Sequence, residues 1–293
     1  MDEYLQNRSF WENSINTRRS VRSFERRAVE PAVLDAMKSF TASSNVPFDH
    51  DVEVRYFKSQ EAYPLANNLR RAPEDALAFI APSDLLSIAK TGFVGELALL
   101  YANGLGLSTC WFGHYILDEV EFQLPDISRV QAPRPKYGFG KEQAEGRYAI
   151  AISPLGYFKS DGLRPIDRLT ASLMSFKRKP INERLMGGVT EEMLPEELRF
   201  AFDMARKAPS AANTQHWEFS VSDNRKEISI AKPKGYRHIK WEHPDVCVGC
   251  CAAHFFLGLA MQGIDCSVTP ALDDDRVVWS FVLNGSLSDE QQG

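Results

Sequence analysis

Thr91-Gly-Phe-Val-Gly-Glu-Leu-Ala-Leu-Leu-Tyr-Ala-Asn-Gly-Leu-Gly-Leu107 reads as a long buried helix that closes at Gly104 or Gly106. A helix apolar nearly all round belongs inside a core. Val248-Gly-Cys-Cys-Ala-Ala-His-Phe-Phe-Leu-Gly-Leu-Ala-Met-Gln-Gly-Ile264 lies on it without a gap. Gly92 then meets Gly249, and Gly106-Leu107 meets Gly263-Ile264. Any two buried helices share such a composition, so what surrounds them decides whether the likeness is a duplication.

The surroundings repeat too. The first half reads as a helix over 31–41, strands over 52–59 and 75–81, the buried helix, and a strand over 148–153. The second reads as a helix over 194–207, strands over 218–222 and 227–230, a buried helix over 248–263, and a strand over 277–283. Pro31-Ala-Val-Leu meets Pro195-Glu-Glu-Leu, and Pro154-Leu-Gly156 meets Leu283-Asn-Gly285. A period this long is no solenoid. It predicts one compact unit of two fused copies, 1–160 and 161–293, with an irregular Pro- and Gly-rich insertion at about 115–146.

Composition narrows the class. The 293 residues are 44% hydrophobic and 25% charged, which excludes disorder, collagen-like repetition and a small disulfide scaffold. A net charge of −5 argues against a nucleic-acid surface, although local basic clusters stand out within it. The first twenty residues hold no apolar run, so no signal peptide is expected there. The best membrane candidate, 246–266, contains His254, Gln262 and Asp265 and reads better as a core helix. Five cysteines, odd in number and set in apolar sequence, fit reduced thiols and a cytoplasmic protein.

Several stretches carry chemistry. Arg18, Arg19, Ser20 and Arg22 place forked donors and a hydroxyl within five residues, a cradle suited to phosphate; equally, such a run is a solvated basic segment. Ala208-Pro-Ser-Ala-Ala-Asn-Thr-Gln-His-Trp217 follows a helix and precedes a strand. The Asn213 and Gln215 amides both donate and accept, which suits the edge of a heteroaromatic ring, but alone the stretch is an ordinary turn. Cys110 with His114 has no third group to orient a nucleophile. Cys247, Cys250, Cys251 and His254 mimic a zinc set without a second ligand pair, so no metal is expected. The run 176–184 reads as a charged linker, and Gly138-Phe-Gly-Lys141 is not a Walker loop.

Together these residues resemble the nitroreductase family of FMN-dependent oxidoreductases. Arg18-Arg-Ser-Val-Arg-Ser-Phe24 is similar to its phosphate motif, and Pro209-Ser-Ala-Ala-Asn-Thr-Gln-His-Trp217 to its flavin-edge motif. Gly104-Leu-Gly-Leu-Ser-Thr-Cys-Trp-Phe-Gly113 is similar to its loop against the isoalloxazine. Pro154-Leu-Gly-Tyr157 followed by Lys177-Arg-Lys-Pro180 is similar to its last strand and second phosphate contact. The resemblance implies an α+β three-layer sandwich, a mixed and largely antiparallel sheet flanked by helices.

The order departs from the ordinary family, whose subunit carries every motif and shares two flavins with a partner. Here the Arg motif and the Gly-Leu-Gly loop stand in the first copy and the Asn/Gln motif in the second, while their counterparts near 41–48 and 179–183 are eroded. The resemblance therefore implies a monomer acting as a pseudo-dimer with one composite site. In it, Arg18, Arg19, Ser20, Lys177 and Lys179 would hold the FMN phosphate. Phe112 and Gly113 would pack near the ring, Pro209, Ser210, Ala211, Asn213 and Gln215 would approach from the other copy, and Arg22 would stabilise the reduced flavin. NADH or NADPH would be the donor and an electron-poor small molecule, such as a nitroaromatic or quinone, the acceptor, with neither nucleic acid nor membrane as partner. The alternative is a degenerate flavin-binding module without turnover.

Overall fold

The structure, a computed structural model, describes residues 2–43, 46–59, 66, 69–115, 124, 146–159, 177–238 and 241–284. The insertion expected at about 115–146 and the Gly138–Lys141 stretch lie almost wholly outside these residues.

Helices α1 (Asp2–Gln6), α2 (Arg8–Thr17) and α3 (Pro31–Ser43) open the chain. Then come β1 (Glu53–Lys58), β2 (Asp75–Pro82), α4 (Leu85–Gly104), β3 (Ser108–Thr109) and β4 (Arg147–Gly156). The second half holds α5 (Glu196–Arg206), β5 (Glu218–Val221), β6 (Glu227–Ala231), α6 (Pro244–Ala260), β7 (Cys266–Asp273) and β8 (Arg276–Leu283). From α3 and from α5 the order is the same: helix, two strands, helix, two strands.

The buried helices begin earlier than the sequence reading implies, at Leu85 and Pro244. The Asp84 carboxylate accepts from Ser87 N at 2.9 Å and starts α4 at Leu85. Pro244 stands in the first turn of α6, where a missing N–H costs nothing.

One mixed sheet was expected; two four-stranded sheets are found, ordered β1-β2-β4-β3 and β5-β6-β8-β7. Among the described residues every ladder is antiparallel, and parallel pairing occurs only as isolated bridges such as Ser20 with Thr109 and Leu185 with Phe219. The sheets stay apart because α4 packs against both. A β-carbon on Gly95 would lie 3.1 Å from the Phe79 ring of β2, and Phe93 stacks on Trp279 of β8 at 5.2 Å. In each sheet the strands follow the same order of first, second, fourth and third.

The two buried helices cross at their glycines. A β-carbon on Gly92 would stand 2.0 Å from Val246 O, and one on Gly249 would stand 2.2 Å from Ala89 O. Each glycine thus presses on the residue three before the other (246 = 249 − 3 and 89 = 92 − 3), the reciprocity of an isologous contact. Every residue of α6 is buried. Amphipathic α5 covers its far side, with Ala201 Cα 2.6 Å from where a β-carbon on Gly258 would stand.

The membrane candidate at 246–266 is not one helix: α6 stops at Ala260 and the chain turns into β7 at Cys266. Among the described residues, only α4 is long and apolar enough to cross a membrane, and most of it is buried inside the protein.

Candidate functional site

Three segments meet beside the end of α4. The first leaves α2. Asn103 Nδ2 donates to Ser14 O at 3.1 Å and to Thr17 Oγ1 at 2.7 Å, fixing the helix end where the Arg motif begins. Arg18 then turns to extended backbone, and Val21 N donates to Thr109 O at 2.9 Å, so Ser20 pairs with Thr109 of β3. Ser20 and Arg22 are exposed and lie beside the buried Cys110 thiol, whose Sγ faces Trp111 O at 3.7 Å. Burial pushes that thiol up from its ordinary pKa, while Arg22, Arg18 and Ser20 pull the other way. Arg19 folds back onto its own chain, with Nη1 donating to Asn16 O at 3.0 Å and Arg18 O at 2.8 Å.

Arg18 alone of the motif turns inward. Its Nε lies 3.5 Å from Glu96 Oε1, and its Nη1 is buried without a partner among the described residues. Glu96 is fully buried in α4 and gathers donors from three directions. Trp111 Nε1 donates to Oε2 at 2.7 Å, His254 Nε2 stands 2.9 Å from Oε1, and Arg18 is the third. Burial drives the carboxyl up, but the His254 hydrogen bond, Arg18 and the Trp111 donor outweigh it and hold it below its ordinary pKa. His254 Nδ1 faces Met204 O at 3.1 Å and must carry a hydrogen there, so the bond to Glu96 needs a second proton. Burial lowers His254 against the pull of Glu96, and the single Glu96 carboxyl is shared between His254 and Arg18.

The second segment is 110–113. Phe112 exchanges both backbone hydrogen bonds with Ile152 of β4, at 2.9 and 3.0 Å. Trp111 anchors the loop to Glu96, and Gly113 is pressed by the Trp241 indole, whose Nε1 lies 2.0 Å from where a β-carbon would stand.

The third is 209–215 with 177–179. Ala212, Asn213 and Gln215 have φ of 50°, 56° and 48°, a left-handed cluster that costs about 1–3 kcal/mol per residue outside glycine. Ser210 holds it: its Oγ accepts from Gln215 N and its carbonyl from Asn213 N, both at 2.9 Å. Ala211 N donates to Cys247 Sγ at 3.3 Å, and Pro209 is partly exposed ahead of them. The side-chain amides do not present a free edge to a ring, as expected from the sequence, but fasten 177–179. Gln215 Oε1 accepts from Lys179 N at 2.8 Å, and its Nε2 donates to Lys177 O at 3.1 Å. Asn213 Nδ2 donates to Lys177 O at 3.3 Å, and its Oδ1 accepts from Arg178 Nη1 at 2.7 Å.

That anchoring decides which cation joins the Arg motif. Lys177 is exposed, and Lys179 Nζ turns to Thr214 O at 3.2 Å. Arg178, between them, is lowered to about 10 by burial first and then by the charges of Arg18 and Arg19. Of the three, it is the charge of Arg178 that lies near enough to Arg18 to feel it. Arg178, Glu96, Trp111 and His254 went unnamed. Glu96 is the one acid of its apolar helix and His254 the one histidine of its own, and an ionisable group in the middle of such a helix demands a buried partner.

The candidate zinc cysteines are core residues. All five cysteines are free and buried, and no group of metal-ligating side chains occurs among the described residues.

Two antiparallel sheets around a buried helix pair define an α+β protein in which guanidinium groups from both halves of the chain lie near one another. A family model described as "Putative TM nitroreductase" matches residues 12–258, and the chain belongs to this nitroreductase family of oxidoreductases. A Thermotoga maritima structure described as a "putative nitroreductase" shares the fold, with a TM-score of 0.58 and 19% identity over 94% of each chain. An FMN-dependent nitroreductase from Clostridium difficile R20291 is 16% identical over 50% of this chain and 87% of its own, at a TM-score of 0.37. A nitroreductase family protein from Clostridium difficile 630 is 17% identical over 60% of this chain and 98% of its own, at 0.41. No curated protein matches.

Proposed function

We propose that the chain is an FMN-dependent oxidoreductase that passes electrons from NADH or NADPH to an electron-poor small molecule such as a nitroaromatic or quinone. The observation that carries this is Arg18, whose buried Nη1 has no partner among the described residues. A donor left so costs about 1–3 kcal/mol, and more when charged, unless an anion meets it. Arg18 and Arg19 both lie close enough to Arg178 to lower it electrostatically, with Glu96 opposing them.

A phosphate monoester fits this donor set, because forked guanidinium groups and a hydroxyl match its oxygens. Arg18, Arg19, Ser20 and Arg178 would hold the FMN phosphate, with Asn213 and Gln215 keeping Arg178 in place. Bound FMN would supply two-electron transfer between the nicotinamide and the acceptor. The chain's part is to fix the loop 110–113 through Phe112 and Trp111, to keep Gly113 free of a side chain, and to supply positive charge from Arg22.

We read the molecule as a monomeric pseudo-dimer of two degenerate repeats, 1–160 and 161–293, with one site per chain. Three features support this: the repeated strand order, the reciprocal glycine crossing, and a site drawn from both halves. The counterpart of the Asn/Gln stretch ends instead in Phe48, which packs against Phe93 at 4.9 Å and Trp279 at 5.2 Å. Buried free thiols accord with a cytoplasmic setting. The test is FMN titration of the purified protein, followed by steady-state oxidation of NADH and NADPH. One FMN per chain, lost in Arg18→Ala with Arg22→Ala, is expected. A protein that ignores added FMN overturns the reading, and one that binds FMN without oxidising either nicotinamide is the binding module instead.

A further inference from the structure

All three segments of the site are fastened to the buried Glu96 carboxyl, directly or through His254. Trp111 Nε1 of the 110–113 loop donates to Oε2 at 2.7 Å. Oε1 meets Arg18 Nε at 3.5 Å and His254 Nε2 at 2.9 Å. His254 Nδ1 faces Met204 O at 3.1 Å, near the end of α5, the helix that runs on into 209–215. The grip on Arg18 is one-sided. A carboxylate free to face a guanidinium takes two of its nitrogens at once. Here Oε2 is held by Trp111, so Arg18 meets Oε1 through Nε, and its buried Nη1 is left without a partner among the described residues.

We infer that Glu96 is a positioning residue for the anion site, holding Arg18 by Nε so that Nη1 is presented to a phosphate group. This rests on the flavin reading above, in which that phosphate belongs to FMN. The charge of Glu96 works against its position. A negative group beside a phosphate repels it, so charge alone predicts that removing the carboxylate tightens the site. Orientation predicts the reverse, because a guanidinium released from its anchor must be ordered again when the anion arrives. The role also requires arginine at 18, since only a fork has one nitrogen to be held by and others to present.

The test compares FMN with riboflavin, which lacks the phosphate, by titration of the purified protein. General damage to the fold weakens both, so the ratio of the two affinities reports on the phosphate. Glu96→Gln, close in shape but without the charge, should lower the preference for FMN by about tenfold, the worth of one charge-assisted hydrogen bond. Added to Arg18→Ala it should lower the preference no further, because the two act through one guanidinium. Arg18→Lys keeps the charge on a single nitrogen and should lose about as much as Glu96→Gln. A preference unchanged or raised in Glu96→Gln overturns the inference, as does a further tenfold loss in the double variant. So does a preference retained in Arg18→Lys, the variant that decides the matter if Glu96→Gln does not fold. A parent protein that fails to bind FMN overturns the flavin reading itself, and the inference with it.

Discussion

The Gly92 Cα stands 3.1 Å from where a β-carbon on Gly249 would be, so the two halves touch through bare backbone. The atoms facing each glycine are main-chain carbonyls on a buried helix, which cannot swing aside as a side-chain tip can.

Gly92→Ala and Gly249→Ala should therefore each destabilise the protein by about 1–3 kcal/mol or more, through overpacking. On an exposed helix the same change stabilises by up to about 1 kcal/mol. Urea denaturation checks the sign, and a raised midpoint for either variant would mean the helices do not meet as described.

Removing the Arg178 guanidinium should weaken FMN by about tenfold or more, the worth of one charge-assisted hydrogen bond, while riboflavin, which lacks the phosphate, binds as before. Lys177→Ala, at an exposed side chain, should alter neither. Equal losses for FMN and riboflavin would show that Arg178 acts on the fold rather than on an anion.

Asp245 is raised to about 6, chiefly by burial, although its carboxylate accepts from Val277 N at 2.9 Å. The folded state thus holds this proton more tightly than the unfolded chain, whose carboxyl titrates near 3.8. Stability contributed by the protonated form is complete below about pH 4 and lost as pH rises to about 6. Asp245→Asn keeps the acceptor without the charge. Its stability relative to the parent should climb across that window by up to about 3 kcal/mol, at about 1.4 kcal/mol per unit. Parallel pH–stability curves for the two proteins would refute it.

His216 works in the opposite direction. Burial lowers it to about 4, so between pH 4 and 6.5 the unfolded chain binds a proton that the folded protein does not. His216→Gln should therefore flatten the loss of stability on acidification across that window. A variant whose stability falls as steeply as the parent's over the same range would show that His216 titrates normally.

Burial raises Cys247 and Cys266 to about 12 and Cys250 and Cys251 upward as well, so few thiolates exist near neutral pH. Iodoacetamide should leave the native protein unlabelled by mass spectrometry and modify all five cysteines in denaturant. Rapid native labelling of Cys247 would place it outside the core described.

Much of the fold was legible because burial writes itself as periodicity. The helices at α3, α4, α5 and α6 and the strands at β2, β4 and β8 follow apolar patterns, with ends displaced by caps such as Asp84. Strand β7 was not read, because CSVTPALD is mostly exposed along its length and interrupted by Pro270, a residue that belongs on an edge strand such as this one. Nor were α1 and α2, whose residues are largely polar. At the site, the Arg motif and the Asn/Gln stretch were visible as chemistry. What Asn213 and Gln215 do there was not, since their partners are backbone atoms at 177–179. The Glu96–His254 bond spans 158 residues, and no local pattern joins two such positions.

The burial of α6 on every side, and of most of α4, has a consequence for cutting the chain. Neither helix has a face made for water, so neither half has a surface on which to end. A cut in the peptide between residues 159 and 177 would not release two domains. It would leave two chains clasped as a heterodimer, each the other's solvent.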